Sequence, residues 1–376
     1  MNNNISDWNN ADYVGIYTRQ LKENPLYYNP DSKMWIARSY ECCRALLLSD
    51  DAHVPEPVIP ENSSLSAKAI LLMTKLVRIT NGEQHVASRE AAMFICQKIF
   101  QTDVSRLLES LLNETDAGKP FDFVETVAKK LPILLILTGL GITGEDEAFI
   151  GTNLSSLIRI MLPVKTAEDI RLIDAVVDKI YDIAEKCVIA HNCSSDPETV
   201  ALITCNLIGL FIQCYDGGRG LLCNALLNLA TLLNGYHLDR TDDSLYKKLV
   251  TETLRLNPPV HNTRRVVVED IRLGGQLLKA GETVLIVLAA ANLDYRIFEH
   301  PEKFDLMRAN NDQHLTFGLG GHSCIAKYLS IGIAADTCKF LTNNYQNIRI
   351  LQKEFSYEPQ LNVRLVRQLV VSFAKI

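Results

Sequence analysis

A chain of 376 residues, 47% hydrophobic and 22% charged, has the make-up of an ordinary globular protein and, on length alone, room for two or three domains. Its net charge of −6 argues against a general nucleic-acid binder. Ten cysteines, with only Cys42 and Cys43 adjacent and no C-x-x-C pair, imply reduced thiols in a cytoplasmic setting and not a disulfide framework.

Residues 1–10 are rich in asparagine and lack the apolar segment of a signal peptide, which predicts a flexible N-terminus. Lys33–Arg38 alternates as a strand does, and Glu41–Leu48 follows with a helical pattern. Asp50–Asn62 carries four acids and Pro55, Pro57 and Pro60. Proline locks φ and restricts the residue before it, so this stretch reads as an irregular loop. His85 and Arg89, four apart, share one face of a helix. Two donor groups on one face suit an anion, although by themselves these residues favour a solvated surface pair. Thr115–Ala190 is helical in period, with breaks at Gly139-Leu140-Gly141 and Met161-Leu162-Pro163.

The longest apolar run, Val200–Ile212, has 13 residues and includes Thr204 and Asn206. A membrane-spanning helix needs about 18 or more apolar residues, so the run predicts a buried core helix and a soluble protein without membrane contact. Asp196-Pro197-Glu198 is a strong helix start. The pattern continues to Leu233 with Gly235 as its stop, giving a helix about 55 Å long at 1.5 Å per residue. Its middle, Gln213–Gly220, holds three glycines in four positions. Each costs about 1 kcal/mol relative to alanine inside a helix, which leaves either a break between two helices or a deliberately opened turn. Further on, Glu252 and Arg255 form an i, i+3 pair in a helix stopped by Pro258 and Pro259. Val266–Asp270 begins a stretch of β character, and Val363–Phe373 reads as two β segments.

Chemistry concentrates in Phe317-Gly318-Leu319-Gly320-Gly321-His322-Ser323-Cys324. Glycines let the backbone turn tightly and approach a ligand closely. A helical pattern starts directly after Cys324, so the thiol lies by free N–H groups and the positive end of a helix dipole, a setting that favours thiolate. The spacing lacks the third glycine or lysine of phosphate loops and the ligand clusters of zinc sites. A metal ligand, a nucleophile and a merely buried cysteine remain open on these residues alone.

Phe317–Cys324 resembles the cysteine-ligand loop F-G-x-G-x-H-x-C of the cytochrome P450 superfamily, with Ala326 where most members have glycine. Other landmarks follow in order. His85 and Arg89 match H-x-x-x-R, and Glu252 and Arg255 match E-x-x-R. Phe304–Arg308 resembles the meander that supplies a third charged member, Arg308. Asn224-Ala225-Leu226-Leu227 aligns the long helix with the family's distal helix. That alignment puts Asp216 on the acid of [AG]-G-x-[DE]-T and Gly217 where the oxygen-activating threonine usually stands. Gln213 and Cys214 replace the small residue and the glycine.

The resemblance implies a mainly α fold with small β-sheets, a single domain over 1–376, and haem b between the long distal helix and the cysteine loop. Cys324 becomes the axial iron ligand. His85, Arg89, Arg265 and His322, together with Phe317 and Gly318, become the haem contacts. Glu252, Arg255 and Arg308 become a structural charge cluster under the loop. Gln213, Val260, His261 and Asn262 become pocket positions, and 153–173 the substrate lid. Asp216 becomes the candidate for proton delivery. The expected activity is that of a haem-thiolate monooxygenase, an oxidoreductase using dioxygen and two electrons on a small-molecule or carrier-protein-bound substrate, in bacterial natural product biosynthesis. A ferredoxin or flavodoxin would approach near Lys327. Gly217 opens the alternative of oxidative coupling, cyclisation or peroxide-driven oxidation; a haem-binding protein without turnover is a further alternative.

Overall fold

The computed structural model describes residues 12–376 except 58, 60–63, 100, 101, 114, 116, 117, 163, 236 and 237. The expected flexible terminus, 1–10, and part of the proline-bearing loop lie outside the described residues. The chain divides into two compact units, Met1–His53 with Val104–Lys129 and Asp216–Ile376, and Val54–Asp103 with Lys130–Tyr215.

The first unit carries every described strand. Its largest sheet runs in the order Leu26–Asn29, Met34–Ala37, Thr283–Ile286, Thr263–Val267 and Ala52–His53, with Met34–Ala37 and Thr283–Ile286 parallel and the other pairs antiparallel. Successive side chains of a strand point to opposite faces. Accordingly Trp35, Ala37, Val284 and Ile286 enter one apolar cluster, and Ile36 and Leu285 another. The helix Tyr40–Leu48, capped by Ser39, packs Cys42, Cys43, Leu46 and Leu47 into the first cluster. Leu315 joins that cluster and Leu319 packs against it, so one sheet face and one helix together support the cysteine loop. The helix Tyr13–Glu23 buries Tyr13 and Tyr17 in the second cluster, where the Tyr13 hydroxyl donates to the Leu256 carbonyl at 2.6 Å. Val363–Phe373, read as two β segments, forms one strand, Val370–Lys375, preceded by isolated bridges at Val363 and Val366.

The second unit is helical among its described residues: Ala67–Lys75, Gly82–Ile99, Leu131–Gly139, Glu145–Leu157, Ala167–Ala190 and the first half of Pro197–Leu233. The break expected at Gly139–Gly141 is present, with Gly141 at φ +70°. In the second break a 3-10 turn, Ile158–Met161, leads toward a helix that starts in a reciprocal Thr166–Asp169 capping box.

Pro197–Leu233 is one continuous helix of 37 residues; the glycines do not break it. Asp196 caps it, accepting from the Thr199 N–H at 2.8 Å. By length and composition this helix could cross a membrane, but most of its apolar stretch is buried inside the fold.

Candidate functional site

The cysteine loop doubles back on itself. The Cys324 N–H donates to the Phe317 carbonyl at 2.8 Å, the Gly318 N–H to Leu315 at 2.8 Å, and the Ser323 N–H to Gly320 at 3.1 Å. Gly318 and Gly320 sit at φ +66° and +67°, where a side chain is strained. A Cβ on Gly320 would also lie 3.0 Å from the Leu47 carbonyl oxygen, so glycine lets the loop close on the end of the Tyr40–Leu48 helix. Of the ten cysteines only Cys324 is exposed. Burial pushes the thiols of Cys205, Cys223 and Cys338 up to about 12, which keeps them neutral and inert. The following helix begins at Lys327; Cys324 therefore precedes the helix start and does not open it, a small correction to the sequence reading. Among the described residues no three His, Cys, Asp or Glu side chains gather to hold an ion.

Behind the loop lies a fully buried charge cluster. Glu252 and Arg255 are 0% exposed. Arg255 Nε and Nη2 donate to Glu252 at 2.9 and 2.7 Å, and Arg308 Nε donates to the same carboxylate at 3.1 Å. The remaining Arg255 bonds reach the carbonyls of Asn292, Pro301 and Lys303. Asn292, which the sequence reading passed over as a side chain, joins this cluster to the loop. Its Oδ1 accepts from the Leu315 N–H at 2.7 Å, its Nδ2 donates to Thr316 Oγ1 at 2.9 Å, and that hydroxyl donates to the Leu254 carbonyl at 2.6 Å. The signal for Asn292 was a lone amide between Ala289-Ala290-Ala291 and Leu293. His314 lies at the root of the loop, 4% exposed, with its ring 5.7 Å from that of Phe317. Burial first, then Lys327 and Arg255, hold its pKa down to about 3.

Arg265 is 3% exposed. Its guanidinium donates to Thr263 Oγ1 and the Arg264 carbonyl, and no ion-pair partner for it is present among the described residues. Desolvation alone lowers its pKa to about 10. A buried cation without a counter-ion is costly, and the site is electrostatically suited to an anionic ligand. In the helical unit, His85 is buried and its Nδ1–H donates to the Val77 carbonyl at 2.9 Å. Arg89 on the same face is half-buried, so the solvated surface pair favoured by these residues alone is not what forms. His322 is half-buried at the end of the 3-10 turn Gly320–His322.

On the long helix, Gln213 to Gly218 are all partly exposed, whereas 203–212 and 219–226 are buried. A Cβ at Gly217 would meet nothing within 4 Å; this glycine leaves open space. Gly220 differs, since a Cβ there would lie 2.5 Å from Leu365 Cδ2 and 2.6 Å from Pro259 Cβ. Gln213 Nε2 donates back to the Gly209 carbonyl at 3.2 Å. Asp216 Oδ1 lies 3.3 Å from Nη2 of the buried Arg219, which also lies 3.5 Å from Glu358 Oε1. Arg219 and Glu358 were not singled out from sequence, because Glu358 is more than a hundred residues away along the chain.

The expected polar wall at 260–262 needs correction. His261 is 0% exposed, with Nδ1 3.1 Å from the Tyr17 hydroxyl and its ring against Tyr13 and Tyr17. Burial holds its pKa down to about 3. The reason is the cover supplied by the Tyr13–Glu23 helix, which turns this ring into core. Asn262 Nδ2 donates to the Leu361 carbonyl at 2.9 Å, and Val260 bridges Val363.

A cytochrome P450 family model matches residues 237–331. A protein of Mycobacterium tuberculosis described as a cytochrome P450 is 29% identical over 248 residues, covering 61% of this chain and 60% of its own length. Cytochrome P450 119 of Sulfolobus acidocaldarius is 28% identical over 353 residues, covering 90% of this chain and 93% of its own. The solved structure of P450BioI in complex with a fatty-acyl-ligated acyl carrier protein superposes with a TM-score of 0.81 at 21% identity, covering 97% of this chain and all of the other.

Proposed function

The chain belongs to the cytochrome P450 superfamily, and from that premise we propose that it is a haem-thiolate monooxygenase oxidising a small organic substrate with dioxygen and two electrons. Superfamily members bind haem b, and this chain's side chains suit that group. The observation that carries the reading is Cys324, the only exposed one of ten cysteines, held in a loop closed by two left-handed glycines. Cys324 would hold the iron as thiolate, and the bound haem supplies the site of oxygen activation. Arg265, His85, Arg89 and His322 would hold the propionates, with Phe317 and Gly318 beside them. Arg265 supports this most directly, since a propionate would neutralise its buried charge. For His85 to donate from Nε2 as well as Nδ1, its ring must carry both protons.

We assign proton delivery to the Asp216 carboxylate, beside the position that has no hydroxyl. Gln213, Val260 and Asn262 remain pocket positions in this reading, and 153–173 the substrate lid. The 1–376 chain would act as one domain in the cytoplasm, with a ferredoxin or flavodoxin on the Lys327 side and a substrate from natural product biosynthesis. A carrier-bound substrate is the second form in this reading, because P450BioI was solved with an acyl carrier protein.

The test is oxygen and reductant uptake by the haem-loaded protein with a ferredoxin and its reductase. Uptake should rise on adding a compound that shifts the haem spectrum; absence of uptake with every such compound would indicate binding without turnover. Gly217 favours a second reading, in which the reaction is a coupling, cyclisation or peroxide-driven oxidation. Because a Cβ there meets open space, Gly217→Thr should fold normally. If simple hydroxylation is limited by the missing hydroxyl, the variant should convert electrons to product more efficiently by about tenfold or more. Unchanged coupling would show that this hydroxyl does not define the mechanism.

A further inference from the structure

Two polar residues interrupt the apolar run of the long helix, and they differ. Thr204 is fully buried, and its hydroxyl has no hydrogen-bond partner among the described residues. Asn206, 1% exposed, uses both ends of its amide. Its Oδ1 accepts from the Val77 N–H at 3.0 Å, and its Nδ2 donates to the Lys75 and Leu202 carbonyls, each at 3.0 Å.

The same short segment is also held by the helix Gly82–Ile99. His85 Nδ1–H donates to the Val77 carbonyl at 2.9 Å, and the Ser88 hydroxyl to the Lys75 carbonyl at 3.0 Å. Val77 opens the 3-10 turn Val77–Ile79 between Ala67–Lys75 and Gly82–Ile99. Its N–H is therefore fixed by Asn206 and its C=O by His85. A carbonyl only accepts, so this contact sets the proton on Nδ1 and fixes the ring's rotation, as an outer partner does for a ligating histidine.

We infer that Asn206 is a positioning residue for His85: by fixing Val77 it fixes the imidazole that is to meet a haem propionate. This rests on the assignment of His85 to a propionate. An amide in the apolar run is then explained by the ligand it serves at one remove, across three hydrogen-bonded groups of the same helical unit.

The test is the rate of haem transfer from the ferric holoprotein to excess apomyoglobin. His85→Leu should raise that rate by about tenfold or more, and Asn206→Leu by a similar factor, as expected for one lost oriented contact. The double variant should be no faster than His85→Leu, within about twofold, because both changes remove one contact. Thr204→Val should not change the rate. If Asn206→Leu does not fold, Asn206→Ala takes its place in the cycle. Multiplying rates in the double variant, or an Asn206 variant that retains haem as wild type does, would overturn the inference while leaving the role of His85 standing. Unchanged haem loss in His85→Leu would instead remove the propionate assignment, and the inference with it.

Discussion

Glu252→Gln should lower folding stability by about 3–5 kcal/mol, read as a large fall in the urea midpoint. The spacing of Glu252 and Arg255 alone, on a solvated helix, would be worth only a few tenths of a kcal/mol. The difference lies in burial. Glu252 and Arg255 are 0% exposed, Arg308 is 9% exposed, and one carboxylate serves both guanidiniums. Glutamine keeps the volume and part of the hydrogen bonding but strands two buried cations. The backbone carbonyls of Asn292, Glu299, His300, Pro301 and Lys303 solvate those cations but cannot neutralise them. A loss below about 1 kcal/mol, the range of an exposed pair, would contradict this account of the cluster.

Arg265 should behave in the opposite sense before and after haem is bound. Burial lowers its pKa to about 10, well below the ordinary arginine value, which amounts to a destabilisation of about 3 kcal/mol in the haem-free protein. The sign follows from proton binding. From about pH 10 up to the ordinary arginine range the unfolded chain keeps this proton and the folded chain loses it, so stability rises with pH there. Below that window, at neutral pH, the whole penalty is present. Arg265→Met should therefore make the haem-free protein more stable, by up to about 3 kcal/mol, and make the loaded protein lose haem at least about tenfold faster. Thermal unfolding without haem and haem transfer with it measure the two halves. A variant less stable without haem and unchanged in haem retention would make Arg265 a strand residue and nothing more.

What could be read in advance was local. Phe317–Cys324 is eight contiguous residues, and the backbone N–H groups of Gly318, Ser323 and Cys324 bond within that stretch or just before it, so its pattern is its structure. The ends of the long helix were legible for the same reason, through a cap at Asp196 and a period running to Leu233, while its continuity through the three glycines was not. Burial was not legible, because it depends on partners far along the chain. His85 looks like a surface residue until Val77 and Asn206 are in place, and Glu252 looks like one until Arg308 arrives from 56 residues away.

His261 was misread because its cover is the helix Tyr13–Glu23. That helix faces the core with Tyr13, Tyr17 and Gln20 as well as Leu21, a face whose polar atoms disguise its apolar stripe. Gly217 and Gly220 show the limit most plainly. They are chemically identical in sequence, yet one borders open space and the other fits between Leu365 and Pro259.

The central claim is that Cys324 holds a haem iron as thiolate. The most direct measurement is the absorption spectrum of the reduced, haem-loaded protein under carbon monoxide, for wild type and Cys324→Ser. Wild type should show the red-shifted Soret band of a thiolate-ligated haem, and Cys324→Ser should lack it entirely. Absence of the band in wild type, or its persistence in Cys324→Ser, would contradict the account.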